Sequence, residues 1–233
     1  MKVQHSVALV TGANRGLGQE FARALLAGGA RKVYAGARDP STVTLAGVEP
    51  IQLDVTSAVD IAAAAARLGD VTLVVNNAGI LRASGLFAEG SIEALRAELE
   101  TNAFGPLAVA RAFAPILARH GGGAVINVLS ALSWVSLPNL ATYSASKAAA
   151  WSLTNGMRHE LRAQGTQVLA VHAGFIDTDM AKRAPGPKVS PEEVVRNVLA
   201  ALEAGKDEAL ADDVSRQVQR GLGAEPPVYL APR

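Results

Sequence analysis

The sequence predicts an α/β fold: a parallel sheet of about seven strands, doubly wound so that helices cover both faces. Three observations predict it. Short runs rich in Val, Ile and Leu alternate with longer helical patterns along the chain, the signature of strands joined by crossover helices. Several of those runs are apolar throughout, as strands buried on both faces should be. A glycine-rich turn separates the first apolar run from the first helical pattern.

The strand runs are residues 7–10, 32–35, 51–53, 73–75, 124–128, 167–171 and 208–211. Helical patterns occupy 17–28, 57–68, 91–118, 142–163 and 190–204. Ser57 followed by Asp60 predicts a capping box at the start of the second helix, and the five alanines at 62–66 are good helix formers. Ser190 before Pro191 and Glu192 is a helix start with proline at its first position. The stretch 39–47 is short and has little helical character. No linker, repeat or charge block divides the chain, so a single domain, 1–233, is expected.

Composition narrows the function. The chain has 233 residues, 49% hydrophobic and 18% charged, with a net charge of +1, enough for one substantial core. That balance gives no electrostatic case for nucleic acid or an anionic membrane surface. Cysteine is absent, which removes disulfides, thiolate nucleophiles and cysteine metal sites. No leader pattern opens the chain, and no apolar run reaches the roughly 20 residues of a membrane helix. A cytoplasmic protein is expected. His5, His120, His159 and His172 form no metal-spaced pair, so no metal is expected.

The turn at 11–18 reads Thr-Gly-Ala-Asn-Arg-Gly-Leu-Gly. Gly12 permits a tight turn, Gly16 lets backbone approach a pyrophosphate, and Gly18 lets the helix pack on the sheet. Asn14, Arg15 and Leu17 complete a loop whose helix N-terminus offers N–H groups and a positive dipole end. A flexible connecting loop is the plain alternative, but strand before and helix after favour dinucleotide binding in a Rossmann-like fold. At the end of the second strand, Ala37 stands where an NAD site would place an acid. Arg38 follows it, and a guanidinium suits a 2′-phosphate. Arg15 adds a second cation, while Asp39 before Pro40 reads as a helix cap rather than a ribose ligand. The expected cofactor is NADP(H).

Tyr143 and Lys147 are four apart in a helical segment, so they share a face. A cation beside a phenol lowers its pKa and makes it a usable general acid or base. Ser130 lies thirteen residues upstream.

Together these segments resemble the short-chain dehydrogenase/reductase family, in its compact, carbonyl-reductase-like branch. The resemblance rests on residues 11–18, Asp54 and Val55, Asn76 to Gly79, Asn102, Ser130, the Tyr143 to Lys147 segment, and 174–178; it spans about 6–180. It implies that Tyr143 exchanges a proton with a carbonyl or alcohol oxygen, and that Ser130 holds the same oxygen. Lys147 would hold the nicotinamide ribose and lower the Tyr143 pKa, and Asn102 would hold a water linked to Lys147. Asp54 and Val55 would meet adenine. Asn77, Ala78 and Gly79 would either border the cofactor or end a strand, with Asn77 bracing the sheet. Gly174, Ile176 and Thr178 would meet the nicotinamide end. The family's Pro-Gly is Ala173-Gly174 here, which should loosen that turn.

Ser133 and Ser136 could touch substrate, and Trp134, Leu137, Leu140 and Phe175 could line an apolar pocket, with Trp151 in a helix interface. The short segment 180–189 predicts an open pocket for varied ketones or aldehydes. A small carbonyl or alcohol substrate, and a homodimer or homotetramer formed through 91–118 and 142–163, complete the expectation. Two alternatives are a cofactor sensor without turnover and a nucleotide-sugar epimerase or dehydratase; the four-residue set argues against the first. The second needs more chain after Thr178 than remains.

Overall fold

The computed structural model describes residues 1–230. Its strands are β1 (Val7–Thr11), β2 (Lys32–Ala37), β3 (Glu49–Gln52), β4 (Leu73–Asn76), β5 (Ala124–Val128), β6 (Gln167–His172) and β7 (Glu208–Leu210). All pair in parallel, in the order β3-β2-β1-β4-β5-β6-β7. The direction of winding reverses between β1 and β4, so a crevice opens there beyond the strand ends. Pro50 lies in β3, the edge strand, where its missing N–H costs the ladder least.

The helices are α1 (Gly16–Ala27), α2 (Ala58–Arg67), α3 (Ser91–Leu99), α4 (Gly105–Arg119), α5 (Ala141–Leu161), α6 (Pro191–Glu203) and α7 (Asp213–Gly221). They form two layers with a core on each side of the sheet. Ala8 and Val10 of β1 face Phe21 and Leu25 of α1 and Val194, Val198 and Leu202 of α6. Val7 and Leu9 face the other way, toward Ile61 of α2, Val109 and Phe113 of α4, and Met157 of α5. This alternation is the two-residue period of a strand. Fully burying a side chain such as Phe21 or Phe113 stabilises the fold by about 1.5–3 kcal/mol. Among the described residues, no helix is long and apolar enough to cross a membrane.

Two elements differ from the sequence reading. The continuous helix expected over 91–118 is interrupted by a π-helical turn, Glu100–Phe104, between α3 and α4. Pro106 explains part of it: with no N–H, it cannot donate to the Asn102 carbonyl, as an uninterrupted α-helix would require. The second is α7, which the sequence reading lacked. Only Val214 and Val218 mark its apolar side, and its start is fixed by an Asp212–Ser215 capping box. At Ser57 the cap is half as expected. The hydroxyl pairs with the Asp60 N–H and carboxylate, each at 3.2 Å, but that carboxylate accepts the Asp54 N–H at 3.0 Å, while the Ser57 N–H goes to the Asp54 carbonyl. Ser190 caps α6 through the Glu193 N–H at 3.1 Å.

Candidate active site

The turn after β1 is built on glycine. Gly12 and Gly16 have φ of +64° and +54°, a region that side chains disfavour. A Cβ on Gly18 would lie 2.1 Å from the Gly12 carbonyl oxygen, so α1 packs where only hydrogen fits. Asn77 braces the turn, donating its amide to the Thr11 and Gly12 carbonyls at 3.0 and 3.2 Å. The Thr11 hydroxyl accepts the N–H groups of Asn77 and Ala78, both at 3.0 Å.

No side chain caps the start of α1, and its first turn carries no acid. Its N–H groups and positive dipole end therefore face the crevice as an anion receptor. Asn14 donates to the Thr42 hydroxyl at 3.1 Å, tying the turn to the segment after β2. Arg15 pairs with Asp179 at 3.3 Å. Leu17 turns its side chain into the core, so only its backbone belongs to the turn.

At the end of β2, Arg38 is exposed, and no carboxylate lies within 4.0 Å of it among the described residues. Asp39 is occupied as a cap, accepting the Ser41 N–H at 3.0 Å and its hydroxyl at 2.7 Å. After β3, Asp54 accepts the Thr56 N–H and hydroxyl at 2.9 and 2.7 Å. The bond from the Thr56 N–H is the main reason its carboxyl lies below the usual range. Val55 is buried against Gly105, where a Cβ would come within 2.9 Å of it.

Four further elements meet beyond β4 and β5. Asn102, on the π-helical turn, accepts the Ile80 N–H at 2.8 Å and donates to the Ile80 carbonyl and the Ser146 hydroxyl, each at 3.0 Å. A Cβ on Gly79 would stand 3.2 Å from the Asn102 amide oxygen and 3.8 Å from Lys147 Nζ. Glycine thus brings strand end, π turn and lysine together. Lys147 is buried and donates to the Val128 carbonyl at 2.8 Å, with Nζ 5.7 Å from the Tyr143 ring centroid. Burial pulls its pKa down to about 8. A small cavity of about 10 Å³, lined by Asn76, Asn102, Asn127 and Val128 among others, has room for about one water.

Tyr143 corrects an expectation. Its phenol is raised well above the usual range, first by burial and then by the Glu98 charge, with the Ser130 hydroxyl opposing both. Lys147 leans to the Val128 carbonyl instead of offsetting that burial. Ser130 accepts the Leu132 N–H at 3.1 Å and donates to the Ala173 carbonyl at 3.4 Å.

The turn at Ala173-Gly174 is tied to the start of α7. Gly174 donates its N–H to Asp212 at 2.6 Å, and Asp212 also caps α7. Ile176 pairs with Val189, closing the segment 180–189 back on itself, and the Thr178 methyl approaches the Gly16 position to 3.4 Å.

Trp134 stacks on His172 and meets Trp151 edge-on. Ser136 is exposed and Ser133 buried. His120 binds the Gly69 carbonyl at 2.8 Å, at the opposite end of β4 from Asn77. Two residues at the site escaped the sequence reading. Glu98 is fully buried and accepts the Arg82 N–H at 2.7 Å, and an acid on a helix reads as solvated. Asp212 contacts Gly174 across 38 residues, beyond any local pattern.

A parallel sheet of this order, with a glycine turn at its reversal point, defines the Rossmann-like class. The family model described as short chain dehydrogenase matches residues 6–187. The chain therefore belongs to the short chain dehydrogenase family, a family of oxidoreductases. Among curated relatives, dehydrogenase/reductase SDR family member 7B of Bos taurus is 32% identical, covering 90% of this chain and 74% of its own length. An uncharacterised oxidoreductase of Staphylococcus saprophyticus is 29% identical, over 87% of this chain and 93% of its own. Among solved structures, a short chain dehydrogenase from Burkholderia cenocepacia in complex with NADP superposes with a TM-score of 0.95. It is 44% identical and the match covers 100% of both chains.

Proposed function

We propose that this chain is an NADP(H)-dependent oxidoreductase that interconverts a small ketone or aldehyde and its alcohol. The observation that carries the reading is the meeting of Asn102, Lys147 and Gly79 beside Tyr143 and Ser130, at the crevice that holds the glycine turn. The NADP bound by the similar Burkholderia cenocepacia enzyme supports the choice of cofactor.

The cradle fits a dinucleotide. The α1 N-terminus and the backbone at Gly12, Asn14, Gly16, Leu17 and Gly18 would hold the pyrophosphate, with Arg15 and Thr178 beside it. Arg38, exposed at the end of β2, would take the 2′-phosphate. Asp54 and Val55 would border adenine. Asn77, Ala78, Gly79, Gly174 and Ile176 would border the nicotinamide half, with Lys147 on its ribose. When bound, the cofactor supplies or accepts the hydride.

The protein's share is position and a proton. Ser130 donates a hydrogen bond to the substrate oxygen and fixes it beside Tyr143. In reduction Tyr143 gives its proton to that oxygen, and in oxidation it removes one. Its phenol is protonated at neutral pH, the form that reduction requires. Lys147, with a pKa of about 8, is poised to exchange protons near neutrality, and Asn102 orders the adjoining cavity. One domain, 1–233, carries the whole site in a cytoplasmic homodimer or homotetramer; half-exposed Phe104 at the head of α4 supports the association.

The test is turnover of a panel of ketones and aldehydes with NADPH and NADH in parallel. Tyr143→Phe should retain NADPH binding while kcat falls at least ~100-fold. NADPH binding without oxidation by any member of a broad panel would refute the reading.

A further inference from the structure

Both tryptophans of the chain sit in one cluster with His172. Trp134 stacks on the His172 imidazole with centroids 3.8 Å apart and planes 19° from parallel. Trp151, from α5, meets Trp134 edge-on at 6.3 Å. His172 is the last residue of β6 and is wholly buried. Its Nδ1 lies 3.1 Å from the Ser130 carbonyl oxygen.

A carbonyl only accepts, so the proton of this bond is on Nδ1. Burial pulls the His172 pKa down to about 4; the bond to Ser130 opposes the fall and the Arg158 charge adds to it. The ring is therefore neutral at working pH, with Nδ1–H as its one donor. Nε2 makes no hydrogen bond among the described residues, the Glu208 carboxylate being 3.9 Å away.

The same Ser130 carbonyl accepts the Ser133 N–H at 3.0 Å, while the Ser130 hydroxyl accepts the Leu132 N–H at 3.1 Å. Carbonyl and hydroxyl are thus two parts of one tight turn, and holding the first aims the second. We propose that His172 is a positioning residue for Ser130: its Nδ1–H, oriented by the stack on Trp134, locks the turn that points the Ser130 hydroxyl at the reacting oxygen. The claim rests on the role given to Ser130 under the proposed function.

Two variants separate the parts of the device. His172→Phe keeps an aromatic face for Trp134 and removes the donor. His172→Asn keeps a donor near the Nδ1 position and removes the face. His172→Phe should lower kcat for carbonyl reduction about tenfold, with the NADPH KM within about twofold of wild type. His172→Asn should recover most of that loss. In a Ser130→Ala background, His172→Phe should cause no further fall, because the residue acts only through Ser130.

Wild-type kcat in His172→Phe, or losses that add to those of Ser130→Ala, would overturn the proposal. Crystal structures supply a readout independent of turnover. In His172→Phe the Ser130 hydroxyl should shift by more than about 0.5 Å while Tyr143 and Lys147 stay in place, and an unmoved Ser130 overturns the claim. If the wild type reduces no carbonyl, the proposed function fails while this structural comparison still decides the clamp. Should His172→Phe not fold, His172→Gln, which moves the donor to the Nε2 position, replaces it with the same two outcomes.

Discussion

Replacing Lys147 by Met should make the protein more stable at neutral pH while abolishing its chemistry. Lys147 is 4% exposed, and burial takes its pKa from 10.5 to about 8. At about 1.4 kcal/mol per tenfold in affinity for the proton, keeping the buried ammonium charged costs the folded state about 3 kcal/mol. The bond to the Val128 carbonyl returns part of this, since a hydrogen bond from a charged group is worth about 1.5–3 kcal/mol. A Met of similar length removes both terms. The net gain is about 1 kcal/mol, or roughly 2–4 °C in Tm for a chain of this size.

The pH dependence gives the sharper check. Between about 8 and 10.5 the unfolded chain binds the Lys147 proton and the folded one does not. Stability of the wild type must therefore rise with pH across that window relative to Lys147→Met, whose curve lacks the contribution. Below pH 8 the penalty is fully present; above 10.5 it is gone. Thermal unfolding of both proteins from pH 6.5 to 10.5 measures this directly. A variant that is less stable at pH 7, with a gap independent of pH, would refute the reasoning, because Lys147 would then be a net stabilising group.

Arg38→Ala should raise the KM for NADPH about 10–100-fold, from the loss of charge-assisted bonds to a phosphate, and leave that for NADH nearly unchanged; equal effects would remove Arg38 from that role. Asp212→Ala loses the α7 cap and strands the Gly174 N–H, so Tm should fall roughly 5–10 °C, and a fall under about 2 °C would show that Asp212 holds neither. Sedimentation at micromolar concentration should show a dimer or tetramer, and a 24.0 kDa species alone would refute the association.

The parallel sheet was legible because its strands are apolar runs that need cover on both faces, and β1 splits its residues cleanly between two cores. Tyr143, Lys147 and the glycine turn were legible because each is a local spacing. The π-helical turn was not: a five-residue change of winding barely disturbs the apolar period, and Pro106 was the one local sign of it. Glu98 and Asp212 were invisible because their partners, Arg82 and Gly174, lie far along the chain. The direction of the Tyr143 shift was misjudged for the same reason. A cation four residues away can be read from the sequence, but burial by the surrounding elements cannot.

Those non-local features have a common location. Seven buried side-chain polar atoms find no hydrogen-bond partner within the protein among the described residues. Only Ser6 lies before β1; the other six belong to Asn76, Glu98, Ser133, Trp134, Trp151 and His172, all near the C-terminal ends of β4 to β6 or the helices packed there. A buried polar group without a partner costs about 1–3 kcal/mol, and natural sequences concentrate such violations at functional sites. The two apolar layers further down the sheet offset the cost. This clustering singles out the same end of the sheet as the Tyr143–Lys147 spacing, yet depends on neither family resemblance nor cofactor. Lys147 adds a different cost at the same end, a buried charge rather than a missing partner. Lys147, which the proposed reaction needs, is a group the fold would be more stable without at neutral pH.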